Sequence, residues 1–94
     1  MKLIISREAA GDFERLHDFL REQNAVAAQR VASMLSDAVD SLKTLPDRGR
    51  PSGIPGVREL IVPFGRSGYV IRYAHLAGEH SVVILRIWHG REFR

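Results

Sequence analysis

The side chains with the most chemical reach lie in the second half of the chain. Residues 48–94 hold eight arginines, three glutamates and no lysine, a net charge of +5, whereas residues 1–47 carry −2. A guanidinium presents a planar fork of donors that suits phosphate and carboxylate and gives up little freedom per bond formed. Arg58, Arg72 and Arg86 fall one to a strand in the alternating segments, so they are candidates for a shared anion-binding surface. Trp88, the one tryptophan, and His89 follow Arg86 closely. The indole offers either a cover for the sheet or an anchor for a partner. The imidazole is a candidate for proton transfer, although a single histidine more often ends a strand than moves a proton.

Other chemistries are excluded or unsupported. With no cysteine there is no disulfide, thiolate metal site or cysteine nucleophile. His75 and His80 flank a predicted turn without a third ligand and read as surface residues; His17 sits among charges on a helix. Gly49, Gly53 and Gly56 match neither a phosphate-binding loop nor a dinucleotide fingerprint, so no cofactor or metal is expected. Length allows one domain, residues 1–94, and 45% hydrophobic with 27% charged residues is the balance of a globular chain. No apolar run approaches the ~20 residues of a membrane span, and the start turns polar too soon for a signal peptide. A cytoplasmic protein is the expectation.

The elements that must position these residues follow from periodicity. Lys2 to Ile5 predicts a strand, and Ser6 a helix cap. Ala9, Phe13, Leu16 and Leu20 recur at helical spacing; Asn24 caps a second helix with Val31, Leu35, Ala38, Leu42 and Leu45 on one face, ended by Pro46. So short a connection predicts an antiparallel helical hairpin. Residues 47–56 are a Gly/Pro-rich loop, after which alternation predicts strands over 57–62, 69–75 and 80–89. The order is β-α-α-β-β-β, an α+β fold with a helical hairpin on one face of a mainly antiparallel sheet.

Side chains alternate across a strand. The more apolar set, Tyr69, Ile71 and Tyr73 with Val83, Leu85 and Ile87, is expected beneath the helices, with the tyrosines in core roles. Arg58, Arg72 and Arg86 are then expected on the face the helices leave open, converging beside Trp88. Glu59 is expected to point away from Arg58.

Several stretches together resemble the ParE/RelE superfamily of type II toxin–antitoxin toxins. They are Ala9-Ala-Gly-Asp-Phe-Glu-Arg-Leu16, Leu45-Pro-Asp-Arg-Gly-Arg-Pro51, Gly56-Val-Arg-Glu-Leu-Ile-Val62, Tyr69-Val-Ile-Arg-Tyr73 and Val83-Ile-Leu-Arg-Ile-Trp-His89. The order and spacing of these pieces carry the likeness over nearly the whole chain.

The resemblance implies a toxin neutralised by a small antitoxin that wraps it with acidic and apolar residues, and it allows two activities. ParE-like members inhibit DNA gyrase without cutting nucleic acid. RelE-like members are ribosome-dependent mRNA endonucleases that work without metal. Such cleavage needs a base for the 2′-hydroxyl, cations for the charged transition state and an acid for the leaving oxygen. Arg58, Arg72 and Arg86 would serve on phosphate and His89 in proton transfer. Gly90 stands where several nucleolytic relatives carry tyrosine, and the strand half lacks a lysine base. The long helical hairpin and the His-Gly-Arg ending lean toward the ParE side. Under that reading Arg58, Arg72, Arg86, Trp88 and His89 are candidate contacts for gyrase or antitoxin. A degenerate member that binds antitoxin without toxicity is the third alternative.

Overall fold

The computed structural model describes residues 1–92. Strand β1 (Lys2–Ile5) leads into helices α1 (Arg7–Gln23) and α2 (Ala25–Ser41). A two-residue strand β2 (Arg50–Pro51) follows within the Gly/Pro-rich loop, then β3 (Val57–Phe64), β4 (Ser67–Leu76) and β5 (Ser81–His89). The sheet order is β1-β5-β4-β3-β2, antiparallel except for the β1–β5 pair. Both predicted caps are made: Ser6 Oγ accepts the Ala9 N–H and Asn24 Oδ1 the Ala27 N–H, each at 3.0 Å. These bonds satisfy donors that a helix start leaves free. No described helix is long and apolar enough to cross a membrane.

The core lies between the helical hairpin and one face of the sheet. Ala9 and Leu16 of α1, and Val31, Leu35 and Val39 of α2, meet Leu60, Val62, Tyr69, Ile71, Tyr73, Val82, Ile84 and Ile87. Leu45 is 58% exposed, because α2 ends at Ser41 and the chain has already turned away.

Two expectations about the faces are corrected by strand register. The β3–β4 turn is just Gly65-Arg66, with Gly65 at φ 61°, a left-handed conformation that glycine adopts without strain. This places Leu60 opposite Ile71, Val62 opposite Tyr69 and Arg58 opposite Tyr73. Cross-strand partners share a face, so Leu60, Val62 and with them Arg58 are on the helix side. On β5 the register slips: Arg72 pairs with Arg86 and Tyr73 with Ile84, leaving Leu85 as an extra residue. This β-bulge reverses the alternation partway along the strand. Val82 and Ile84 are therefore fully buried under the helices, together with Ile87, whereas the expected Val83 and Leu85 are half-buried. Tyr69, Ile71 and Tyr73 are core residues, as predicted.

Candidate functional site: three separated arginines and an apolar groove

The three arginines do not converge. Arg58 lies at the loop end of the sheet, where Nη1 donates to the carbonyls of Gly49 (2.7 Å) and Asp47 (3.4 Å) and Nε stands 3.4 Å from the Asp47 carboxylate. His75 Nδ1 shares that carboxylate at 2.8 Å, so His75 is tied to a loop and is more than a surface turn residue. Tyr73 completes this end: its buried hydroxyl accepts the Gly49 N–H at 2.9 Å. Burial, the largest influence, pushes the Tyr73 phenol up, partly countered by this hydrogen bond. A Cβ at Gly49 would stand 2.7 Å from the hydroxyl, which explains the glycine in the Arg-Gly-Arg stretch.

Arg72 remains on the open face. Its Nε and Nη2 donate to Glu59 Oε2 at 3.0 and 2.6 Å, and its guanidinium lies 5.1 Å from the centre of the Trp88 ring. Glu59 does point away from Arg58, as expected, and its role on this face is to engage Arg72, with Arg50 a further 3.7 Å contact. Trp88 pairs across the strands with Val70 and is 8% exposed.

Arg86 shares the open face with its cross-strand partner Arg72, but its side chain reaches around the outer edge of β5 to α1. β1 stops at the Ile5–Ile84 pair, so β5 continues past it, and the carboxylate of Asp12 on α1 takes the place of a neighbouring strand. Asp12 Oδ2 accepts the Ile87 N–H at 2.9 Å; Arg86 Nε and Nη2 donate to its two oxygens at 2.7 and 3.0 Å. Burial pushes the Asp12 carboxyl up, but the bonds from Arg86 and the Ile87 N–H outweigh it and hold the carboxyl below its ordinary range. The same pair raises the Arg86 guanidinium. Ser6 Oγ adds a bond to the Leu85 carbonyl at 3.1 Å, so the start of α1 is fastened to the bulge. Asp12 has one signal in the sequence: three residues after Ala9 and four before Leu16, it is a carboxylate on an apolar helical stripe.

His89 is held on both ring nitrogens. Nδ1 accepts the Arg91 N–H at 3.2 Å, and Nε2 faces Ser67 Oγ at 3.0 Å. A backbone N–H can only donate, so the neutral ring carries its proton on Nε2 and gives it to Ser67. In this arrangement the imidazole has no free lone pair with which to take a substrate proton, and Ser67 is not activated as a nucleophile. The ring also stands edge-on to Tyr69 at 5.2 Å.

His89 borders a groove of about 800 Å³ that the sequence did not announce. Its walls are Leu16, Phe19 and Leu20 of α1, Phe64 at the β3–β4 turn, and Tyr69. Arg15, Arg91 and Glu92 form its polar rim. Phe19 is 60% exposed, an unusual surface position for so large an apolar ring in a helix. Elsewhere among the described residues, no three His, Asp or Glu side chains gather as metal ligands would.

The comparisons agree with this architecture. The sequence model for the ParE toxin of type II toxin-antitoxin system, parDE, matches residues 3–93. Toxin RelE1 of Caulobacter vibrioides is 47% identical over 92 residues, covering 98% of this chain and 96% of that protein. Toxin RelE2 of the same organism is 38% identical over 82 residues, covering 87% and 86%. Among solved structures, the chromosomal ParDE system from P. aeruginosa superposes with a TM-score of 0.78 at 26% identity, covering 95% of each chain. The intact E. coli RelBE toxin-antitoxin complex superposes at 0.65 with 18% identity, covering 99% of this chain and 98% of that one, a likeness of fold. The chain belongs to the ParE/RelE superfamily of type II toxin–antitoxin toxins.

Proposed function

We propose that this toxin acts by binding, in the manner of ParE-like members, with DNA gyrase as its target and a cognate antitoxin as its neutralising partner. The observation that carries the reading is the separation of the candidate nuclease residues. Arg58, Arg72 and Arg86 are each committed to a different carboxylate (Asp47, Glu59 and Asp12), and His89 has neither ring nitrogen free. Phosphoryl-transfer chemistry on RNA requires cations and a proton acceptor aimed at one point. Here the cations are dispersed to the loop end, the open face and the helix side. The match to the ParE model and the likeness to the ParDE structure support the same choice, and the latter being a toxin–antitoxin system supports an antitoxin partner.

The names of the Caulobacter vibrioides relatives keep a RelE-like mRNA endonuclease as the second reading. The direct test is a supercoiling assay with purified gyrase and purified toxin. Inhibition that is relieved by the product of the adjacent reading frame is the expected result. Undiminished supercoiling at toxin concentrations that arrest growth overturns the gyrase assignment.

A further inference from the structure

The groove beside His89 is already partly occupied by the chain itself. Glu92 folds back so that Oε2 accepts from Arg15 Nη1 at 2.7 Å and Oε1 accepts the His89 N–H at 2.6 Å. Both contacts are short, charge-assisted bonds. The two donors come from separate elements, α1 and the end of β5, and they meet at the rim of an apolar trough. A carboxylate there satisfies one charged and one backbone donor at once. The remainder of the trough offers Phe19, Leu20 and Phe64 to apolar carbon. The site is therefore built for a carboxylate attached to an apolar body, and among the described residues Glu92 supplies the carboxylate.

We propose that Glu92 is a built-in placeholder for an acidic side chain of the antitoxin. An apolar antitoxin segment would lie along Phe19, Leu20 and Phe64 and place its own carboxylate on Arg15 Nη1 and the His89 N–H, displacing Glu92. The occupant's identity rests on the antitoxin reading above; the carboxylate preference of the groove does not. The placeholder lowers affinity by the fraction of time that it is seated: a latch closed nine-tenths of the time weakens binding about tenfold. It also keeps Arg15 and the His89 N–H from binding other anions while the toxin is alone.

The full-length chain is titrated with octanoate, and with octanol as the uncharged control, while the His89 amide is followed by NMR. Octanoate is expected to bind wild type weakly, to bind Glu92→Gln about tenfold more tightly, and to lose that gain when Arg15→Gln is added. Octanol is expected to bind the three chains alike. Equal octanoate affinity for wild type and Glu92→Gln, or an equal gain for octanol, overturns the placeholder. The product of the adjacent reading frame is then measured against the same chains. Tighter binding to Glu92→Gln and weaker binding to Arg15→Gln supports the antitoxin as occupant. Tight binding that neither substitution alters overturns this docking site and leaves the antitoxin reading standing. No binding to wild type overturns the antitoxin reading and the assigned occupant, while the octanoate result still decides whether the groove selects carboxylates.

Discussion

Arg72 and Arg86 stand directly opposite each other on β4 and β5, yet they serve opposite sides of the sheet. Arg72 stays on the open face, spread over Trp88 and held by Glu59. Arg86 leaves that row and reaches Asp12 on α1. The early end of β1 separates them, because it exposes the outer edge of β5 to a helix. On the helix side a single buried carboxylate organises the contact, because it must satisfy a backbone N–H that no strand reaches. On the open face the ion pair lies against an aromatic ring, and its arginine side chain is less exposed than that of Arg86, 32% against 55%. The lesson is that equal residue types in register can hold different structural weight. The helix-side pair fastens two layers, and the open-face pair dresses a surface.

The bulge sets which of two neighbouring truncations costs more. Ile84→Ala should cost about 3–4 kcal/mol, as for a fully buried aliphatic truncated in a packed core, and Leu85→Ala about 1 kcal/mol. Urea unfolding of the two variants checks it; the reverse order would restore unbroken alternation.

Asp12→Ala should cost about 2 kcal/mol, chiefly because the Ile87 N–H is left without an acceptor. Its pH dependence has a fixed sign. The folded-state pKa of Asp12 lies below its ordinary value of 3.8, so the stabilisation is complete above that value and is lost as pH falls through the lowered one. Wild type should therefore lose stability on acidification below 3.8, and Asp12→Asn should lose less, measured by thermal unfolding across that range.

On the open face, Arg72→Ala should change stability by less than about 1 kcal/mol, since the side chain is one-third exposed and the pair is solvent-screened. It should still alter Trp88 fluorescence, because the guanidinium leaves the indole face. A stability loss matching that of Asp12→Ala would erase the distinction between the two pairs.

Much of this fold can be read from the chain. The helical stripes, the caps at Ser6 and Asn24, and the core tyrosines all follow from local spacing and local hydrogen bonding. The face of Arg58 and the burial of Val82 and Ile84 do not, because face assignment depends on register. Val82-Val83-Ile84-Leu85 is apolar throughout, so an extra residue within it leaves no break in the pattern. Similarly, residues 63–68 read as a broad turn, whereas the two-residue turn at Gly65 extends both strands and draws Leu60 and Val62 beneath the helices. The groove is tertiary altogether. Phe19, the hairpin bearing Phe64 and Tyr69, and Glu92 are remote from one another in sequence and share no motif. Asp12 alone gave advance notice, as a charge placed where an apolar residue would fit.

The proposal that the dispersed arginines and the doubly held His89 make no nuclease can be tested on mRNA itself. The most direct measurement is the mapping of mRNA 5′ ends on translating ribosomes supplied with the purified toxin. The arrangement described predicts intact mRNA. Codon-positioned cuts that disappear in Arg72→Ala or His89→Ala would contradict it.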